Sequence, residues 1–387
     1  MKKLAIVSTH PIQYYAPLFK LLHERRKIEI KVFYTLGEHA ELKYDRGFGK
    51  NVAWDIPILD GYPYENVLNT SSRPGSHNFG GIINPKITGQ IEEWKPDAVL
   101  VYGWAYRGHL KALRYFKNRL PVYFRGDSTV LNDPKNLKNI LKRVFLTWLY
   151  RHVDHAFYVG DNNKKYYRKY GLKDKQLSLA PHAIDNARFE TDRSIEVAEL
   201  RSSLTISEDD ILILFAGKFE PVKNVDLLLS AFINLNKPNV HLLLVGNGLN
   251  EKSLKARAAG SRTANRVHFL DFQNQSYMPV LYQATDLFCL PSISETWGLS
   301  VNEAMACGTA ILASDKVGCA ADLVAEGSNG AVFKASNINS IIEKLRWLTA
   351  DKKLLQAYGR QSQIIIKDWN FENMAAAIEK KVLNETD

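Results

Sequence analysis

The chain lacks most of the features that label a protein at first sight. Its 387 residues include three cysteines, Cys289, Cys307 and Cys319, set among small and apolar neighbours without C-x-x-C spacing. This excludes a disulfide framework and argues against a zinc site, and it fits a reducing, cytoplasmic setting. No apolar stretch approaches the roughly 18 to 20 residues that a bilayer-spanning helix needs, so an integral membrane protein is not expected. The opening "MKKLAIVSTHP" has the lysine pair of a secretory leader. Its apolar run, residues 4–7, is too short for one and reads as a first β-strand. There is no Asp-x-Asp, no G-x-S-x-G and no complete G-x-G-x-x-G. No carboxylate pair for a metal ion, nucleophile elbow or dinucleotide fingerprint is therefore apparent.

What is present is an ordinary globular composition, 45% hydrophobic and 24% charged, in a chain long enough for two domains. The net charge of +10 is uneven. Residues 1–190 hold 31 Lys and Arg against 18 Asp and Glu, which is +13, and the remaining 20 against 23 give −3. A basic N-terminal half draws a polyanion or an anionic membrane surface, or it is a solvated face that aids solubility.

Short apolar or β-branched runs recur: "LAIVST", "KIEIKVFYT", "DAVLVY", "PVYFR", "HAFYVG", then "DILILFAG", "NVHLLLVG", "RVHFLDF", "TDLFCLPS" and "TAILAS". Helical periodicity fills the intervals, as in "PLFKLLHERR", "VDLLLSAFINL" and "SIIEKLRWLTA". The alternation predicts an α/β protein with doubly wound parallel sheets. The rhythm fades in the polar stretch between about residues 183 and 210, so two Rossmann-like domains are expected, residues 1–188 and 189–366, facing each other across a cleft. Residues 367–387 form a last helix.

Within "PSISETWGLSVNEAMACGT", a strand, a loop, a helix and a stop follow in order. Gly298, Leu299 and Ser300 then stand at a helix N-terminus on the cleft rim, where unpaired amides suit a phosphate. Glu303 has two readings: "SVNE" is a capping box with Ser300, or the carboxylate serves a ligand. Glu295 lies in the loop with no such structural role. Upstream, "FAGKFEPVKNVDLLL" sets Lys218 and Lys223 in a strand-to-helix turn, where two cations neutralise a diphosphate, although either alone is commonly a surface charge. "LLLVGNGLNEKSL" supplies Gly246, Asn247 and Gly248 in a tight turn, with Glu251 where a third fingerprint glycine would stand.

These segments, with "VLYQATDLFCLPSISETWGLSVNEAMACGTAILASDKVGCAADLV" and "GSNGAVF", resemble the retaining glycosyltransferases of the GT-B fold, family 4, over about residues 211–335. "LSLAPHAIDNARF" is a weaker echo, with His182-Ala183-Ile184-Asp185 where the family usually has Asn-Gly-Val-Asp. The resemblance implies that Lys218, where arginine is commoner, and Lys223 bind the donor phosphates. It implies that Glu295 holds sugar hydroxyls, Glu303 the ribose, and the Gly298 and Leu299 amides a phosphate. The turn at Phe272 would face the base; Asp271 or Phe272 replaces a frequent glycine there, leaving UDP or GDP open. No cofactor and no metal are expected, the lysines and helix dipole acting in their place. The last helix would cross back to the first domain.

The acceptor side falls to the N-terminal half. "STHPIQYYAPLF" replaces the glycine-rich loop common in the family, and His10 and Gln13 enter there. Relatives often place a histidine after the strand matching "PVYFR"; here Asp127 of "FRGDST" is the candidate, a catalytic carboxylate or a turn or N-cap aspartate. "SHNFGG" offers His77 and Asn78 to clasp the acceptor. "LKNILKRVFLTWLYRH", residues 137–152, either rests on an anionic membrane and presents a lipid-linked or cell-surface glycan precursor to the cleft, or packs on its own sheet. O-antigen, capsule or exopolysaccharide synthesis, on the inner face of the membrane, is the setting this suggests. A sugar-nucleotide epimerase shares the architecture, whereas a nucleic-acid binder lacks a recognisable reading module.

Overall fold

The computed structural model describes residues 1–37, 43–45, 50–52, 54–131 and 137–385, with backbone alone at 43–45, 50–52 and 137–139. Two compact units emerge. One comprises Met1–Lys43, Ile56–His182 and Phe371–Asp387, the other Tyr44–Asp55 and Ala183–Asn370.

The first half contains β1 (Lys3–Ser8), β2 (Glu29–Tyr34), β3 (Lys43–Asp45), β4 (Lys50–Val52), β5 (Tyr64–Asn66), β6 (Ala98–Tyr102), β7 (Val122–Arg125), β8 (His155–Tyr158) and β9 (Leu177–Leu179). β3 and β4 make a separate ladder; the other seven form one parallel sheet in the order β5-β2-β1-β6-β7-β8-β9. The central strands are apolar on both faces because helices cover both. Leu4, Ala5, Ile6 and Val7 of β1 are all fully buried. The helix Phe371–Leu383 belongs to this unit. Arg25 forks onto its Glu379, Nε to Oε1 and Nη2 to Oε2 both at 2.9 Å, and Tyr123 Oη donates to the Lys381 carbonyl at 3.3 Å.

The second unit holds β10 (Ile211–Ala216), β11 (Val240–Val245), β12 (Val267–Leu270), β13 (Leu287–Leu290), β14 (Ala310–Ser314) and β15 (Gly330–Phe333). They are parallel, in the order β12-β11-β10-β13-β14-β15. The expectation of two doubly wound parallel α/β domains is met. In each sheet the order reverses once, between β1 and β6 and between β10 and β13. At such a switch point the connections leave to opposite faces and open a crevice beyond the strand ends, where α/β sheets bind ligands.

All ten apolar runs read as strands from the sequence are strands. β5, β9 and β15 were not read as strands; they are three or four residues long at sheet edges, too short for any period. Among the described residues no helix is long and apolar enough to cross a membrane.

Candidate functional site

The turns leaving β10 and β13 meet at the switch point of the second domain. After β10 the chain passes Gly217, at φ +155°, and the half-buried Lys218, then makes a single 3-10 turn, Pro221–Lys223, before the helix Val225–Leu235. After β13 it forms the loop 291–298. Ile293 N–H donates to the Val222 carbonyl at 2.9 Å and stitches the two turns together. Across that stitch Lys223 Nζ forms an ion pair with Glu295 Oε2, their side chains only 24% and 18% exposed. Ser292 Oγ also points at this carboxylate, 3.4 Å away.

Glu295 is fixed although it lies in a loop. Its N–H donates to the Lys316 carbonyl and its carbonyl accepts from Gly318 N–H, each at 3.1 Å, so the loop is laddered to the turn after β14. That approach requires glycine at 318: a Cβ there would lie 1.8 Å from the Thr296 carbonyl oxygen. The sequence signal was available in "DKVGCAADLV", but only the fold reveals what the glycine faces.

The helix Leu299–Ala306 starts from Gly298, at φ +100° and ψ 61°, which any Cβ-bearing residue disfavours. A Cβ at Gly298 would also stand 3.4 Å from Glu295 Cγ. The first helical amides, at Leu299 and Ser300, thus open beside the Lys223–Glu295 pair, carrying the partial positive charge of a helix N-terminus.

The capping-box reading fails. The N-cap is Gly298, which has no side chain, and Ser300 lies inside the first turn. Glu303 is instead buried, 3% exposed, and its Oε2 accepts from Tyr282 Oη at 2.9 Å. Tyr282, in the helix Met278–Gln283, is a partner of this candidate residue that the sequence does not reveal; nothing in its spacing announces the contact. Trp297 is likewise structural, its Nε1 donating to Asn302 Oδ1 at 2.9 Å while its ring packs against Trp369.

The turns after β11 and β12 join at Asn247. Its Oδ1 accepts from Phe272 N–H at 3.0 Å, and its Nδ2 donates to Glu251 and to Asp271, each at 3.1 Å. Gly246 sits at φ +137°, and a Cβ there would stand 2.0 Å from the Gly217 carbonyl oxygen. Hence Gly246 lets the β11 turn lie against the β10 turn. Lys223, Glu295 and Gly298 form one group and Asn247 and Phe272 a second, both in the second domain. The three cysteine thiols have raised pKa values, pushed up first by burial, and offer no nucleophile.

The remaining candidates are in the first domain. His10 and the buried Gln13 occupy the turn after β1, and Asp127 follows β7 on the same edge of the parallel sheet. Residues 128–131, which follow it, are not helical, so Asp127 is not an N-cap. Its charge reaches Tyr15, whose phenol is raised first by burial and then by Asp127. His182, stacked 6.1 Å from the Tyr15 ring, is held well below its ordinary value by burial and by the neighbouring Arg125. Arg125 itself is 1% exposed and donates to the Ala180 carbonyl at 2.7 Å. His77 and Asn78 are exposed in a loop braced by Asn69, and neither hydrogen-bonds to His10, Gln13 or Asp127. Asp185 caps the helix Asn186–Glu190, accepting from Arg188 N–H at 3.2 Å.

Residues 196–364, all within the second domain, match the family model described as Glycosyl transferases group 1. A D-inositol 3-phosphate glycosyltransferase of Segniliparus rotundus is 30% identical over 197 residues, 49% of this chain and 43% of the relative. A lipopolysaccharide 1,2-N-acetylglucosaminetransferase of Salmonella typhimurium is 30% identical over 196 residues, 48% of this chain and 51% of the relative. The chain thus matches about half the length of these curated relatives. Among solved structures, Anabaena HepE in complex with UDP and glucose has a TM-score of 0.72 at 18% identity, covering 99% of this chain and 100% of that one. That likeness extends the shared fold to the first domain, where the family model does not reach.

Proposed function

We propose that this chain is a retaining glycosyltransferase of family 4, moving a sugar from a UDP- or GDP-sugar to a hydroxyl of a lipid-linked or cell-surface glycan precursor. The observation that carries the reading is the Lys223–Glu295 pair beside the Gly298 helix N-terminus, at the switch point of the second sheet. The family match of residues 196–364 supports it.

In this reading Lys218, Lys223 and the Leu299 and Ser300 amides take the donor diphosphate. Breaking the sugar–phosphate bond moves negative charge onto that group, so fixed cations and amide dipoles favour the transition state over the ground state. Glu295, already oriented by its backbone ladder, accepts hydroxyl hydrogens of the donor sugar, and Glu303, held by Tyr282, those of the ribose. Asn247, beside Gly246, braces the Phe272 turn toward the base. Asp127 meets the reacting hydroxyl, with His10, Gln13, His77 and Asn78 around the acceptor. No bound metal is assigned a role, because lysines and helix amides supply the positive charge.

A thermal-shift panel of UDP-, GDP- and ADP-sugars tests the donor side, since only a ligand bound to the native state raises its melting temperature. One nucleotide series is expected to stabilise the protein, and EDTA is expected to leave both shift and transfer unchanged. Failure of every nucleotide sugar overturns the reading. Release of free nucleotide and altered sugar without an acceptor favours the epimerase instead.

A further inference from the structure

The helix Leu137–Tyr150 has two unlike faces. Leu146, Leu149 and Tyr150 are 0–3% exposed in the first domain's core, and the half-buried Phe145 packs on Trp104. On the other side Ile140, Leu141, Val144 and Trp148 are 60%, 75%, 65% and 36% exposed. Successive residues on a helix are rotated by about 100°, so these four fall within one arc of about 100° and make an apolar ridge. The helix packs on its own domain and still presents a second, uncovered apolar face, so the two readings of this segment are compatible.

The ridge borders a cationic surface. The Arg114 guanidinium lies 5.7 Å over the Trp148 ring, and that ring meets His152 at 4.9 Å. His152 in turn lines a cavity of about 790 Å³ together with Phe79, Arg107, Lys111 and Arg114. Arg107, Lys111 and Arg114 recur on one exposed face of the helix Arg107–Phe116. Neighbouring cations are paired, Lys117 with Asp154 and Arg119 with Glu92. Arg107, Lys111 and Arg114 have no carboxylate partner among the described residues.

We infer that the first domain docks on an anionic phospholipid bilayer through this surface, the ridge entering the acyl boundary and the three cations meeting headgroup phosphates. Both halves of the surface are needed for the argument. A soluble polyanion uses the cations and leaves the ridge without purpose; an apolar protein partner uses the ridge and leaves the cations unmatched. The helix is 14 residues long with one face buried in protein, so it lies in the plane of the interface. The inference goes beyond the donor-site reading and stands without it.

Vesicle flotation of the full chain tests it, comparing phosphatidylcholine alone with phosphatidylcholine mixed with phosphatidylglycerol. The protein is expected to float with the mixed vesicles and to stay in solution with neutral ones. Arg107→Gln with Arg114→Gln should lower partitioning about twenty-five-fold, at roughly fivefold for each of the two lost charges. Leu141→Ser with Val144→Ser should lower it by at least about tenfold, because burial of two large apolar side chains is lost. Both variants should keep the parent melting temperature, since all four side chains are exposed; Val144→Gln alone serves if the double variant melts early. No flotation, equal flotation with neutral vesicles, or full binding by the ridge variant overturns the inference. The last outcome would mark a polyanion surface.

Discussion

Tyr282 donates its phenolic hydrogen to Glu303 Oε2 at 2.9 Å, with Tyr282 wholly buried and Glu303 3% exposed. A carboxylate shielded from water depends on such donors, and one with a single position removed is left under-satisfied. Tyr282→Phe should therefore cost about 1 to 3 kcal/mol. In a domain of this size that lowers the melting temperature by roughly 2 to 10 °C. If Glu303 holds the ribose, the same variant should raise the donor KM with a smaller effect on kcat. A melt that falls while KM stays constant would confine Tyr282 to stability.

The Lys223–Glu295 pair allows fold and chemistry to be separated. Both side chains are largely buried yet keep an edge in water, so breaking the pair should cost about 1 to 2 kcal/mol, between a surface pair and a fully buried one. Glu295→Ala and Lys223→Ala should each abolish transfer while melting close to the parent. The double exchange Lys223→Glu with Glu295→Lys restores an ion pair and should restore any lost stability, but transfer should stay absent, because the positive charge would then face the sugar and the negative charge the diphosphate. Transfer by the exchanged protein, followed as nucleotide release with acceptor present, would make the pair structural.

How far the sequence carried this site depends on the range of each interaction. Lys218, Lys223, Glu295 and Gly298 stand in strand-to-helix turns, and turns announce themselves locally through glycine, proline and the change of hydrophobic period. The convergence of Lys223, Glu295 and Gly298 needed only the inference of parallel strands. The Tyr282–Glu303 bond joins two helices, and the clamp of Gly318 on Thr296 joins two loops, through contacts that no local period encodes. Ser300 misled because S-x-x-E is a local pattern, whereas the helix start was decided by Gly298 at φ +100°. In the first domain His182 and Asp127 depart from the family pattern, and the sequence alone could not tell that Asp127 begins no helix.

Two glycine substitutions should differ in a graded way. At Gly298 a new Cβ would meet Leu290 Cδ2 at 3.0 Å and Val317 Cγ1 at 3.1 Å, both side chains able to shift. Adding the strain of a positive φ, Gly298→Ala should cost about 1 to 3 kcal/mol. At Gly246 the new Cβ would stand 2.0 Å from the Gly217 carbonyl oxygen, which is backbone and must move with its whole turn. Gly246→Ala should destabilise more, and both should weaken nucleotide-sugar binding by displacing the turns that frame it. Urea midpoints with donor titrations check the order; equal midpoints for the two variants would contradict it.

His109 supplies a prediction about acid. It is fully buried, with Nε2 2.8 Å from Thr35 Oγ1 and Nδ1 3.0 Å from the Tyr102 carbonyl, and burial lowers its pKa to about 4. Because Nδ1 faces the carbonyls of Tyr102 and Gly103, it carries the hydrogen in the neutral ring. The unfolded chain takes up the proton near pH 6.5 while the folded chain resists it until about pH 4. Proton uptake by the unfolded state then favours unfolding, so the stability tied to this neutral ring is fully present above about pH 6.5 and is lost as pH falls through the interval to about 4. A depression of this size corresponds to roughly 3 kcal/mol or slightly more over the whole interval. Melts of the parent at pH 7.5, 6 and 5 should show a steepening loss, to which the buried His182 contributes in the same direction. His109→Gln should start less stable and fall less steeply, and a parallel pH profile for that variant would show that His109 is not among the groups responsible.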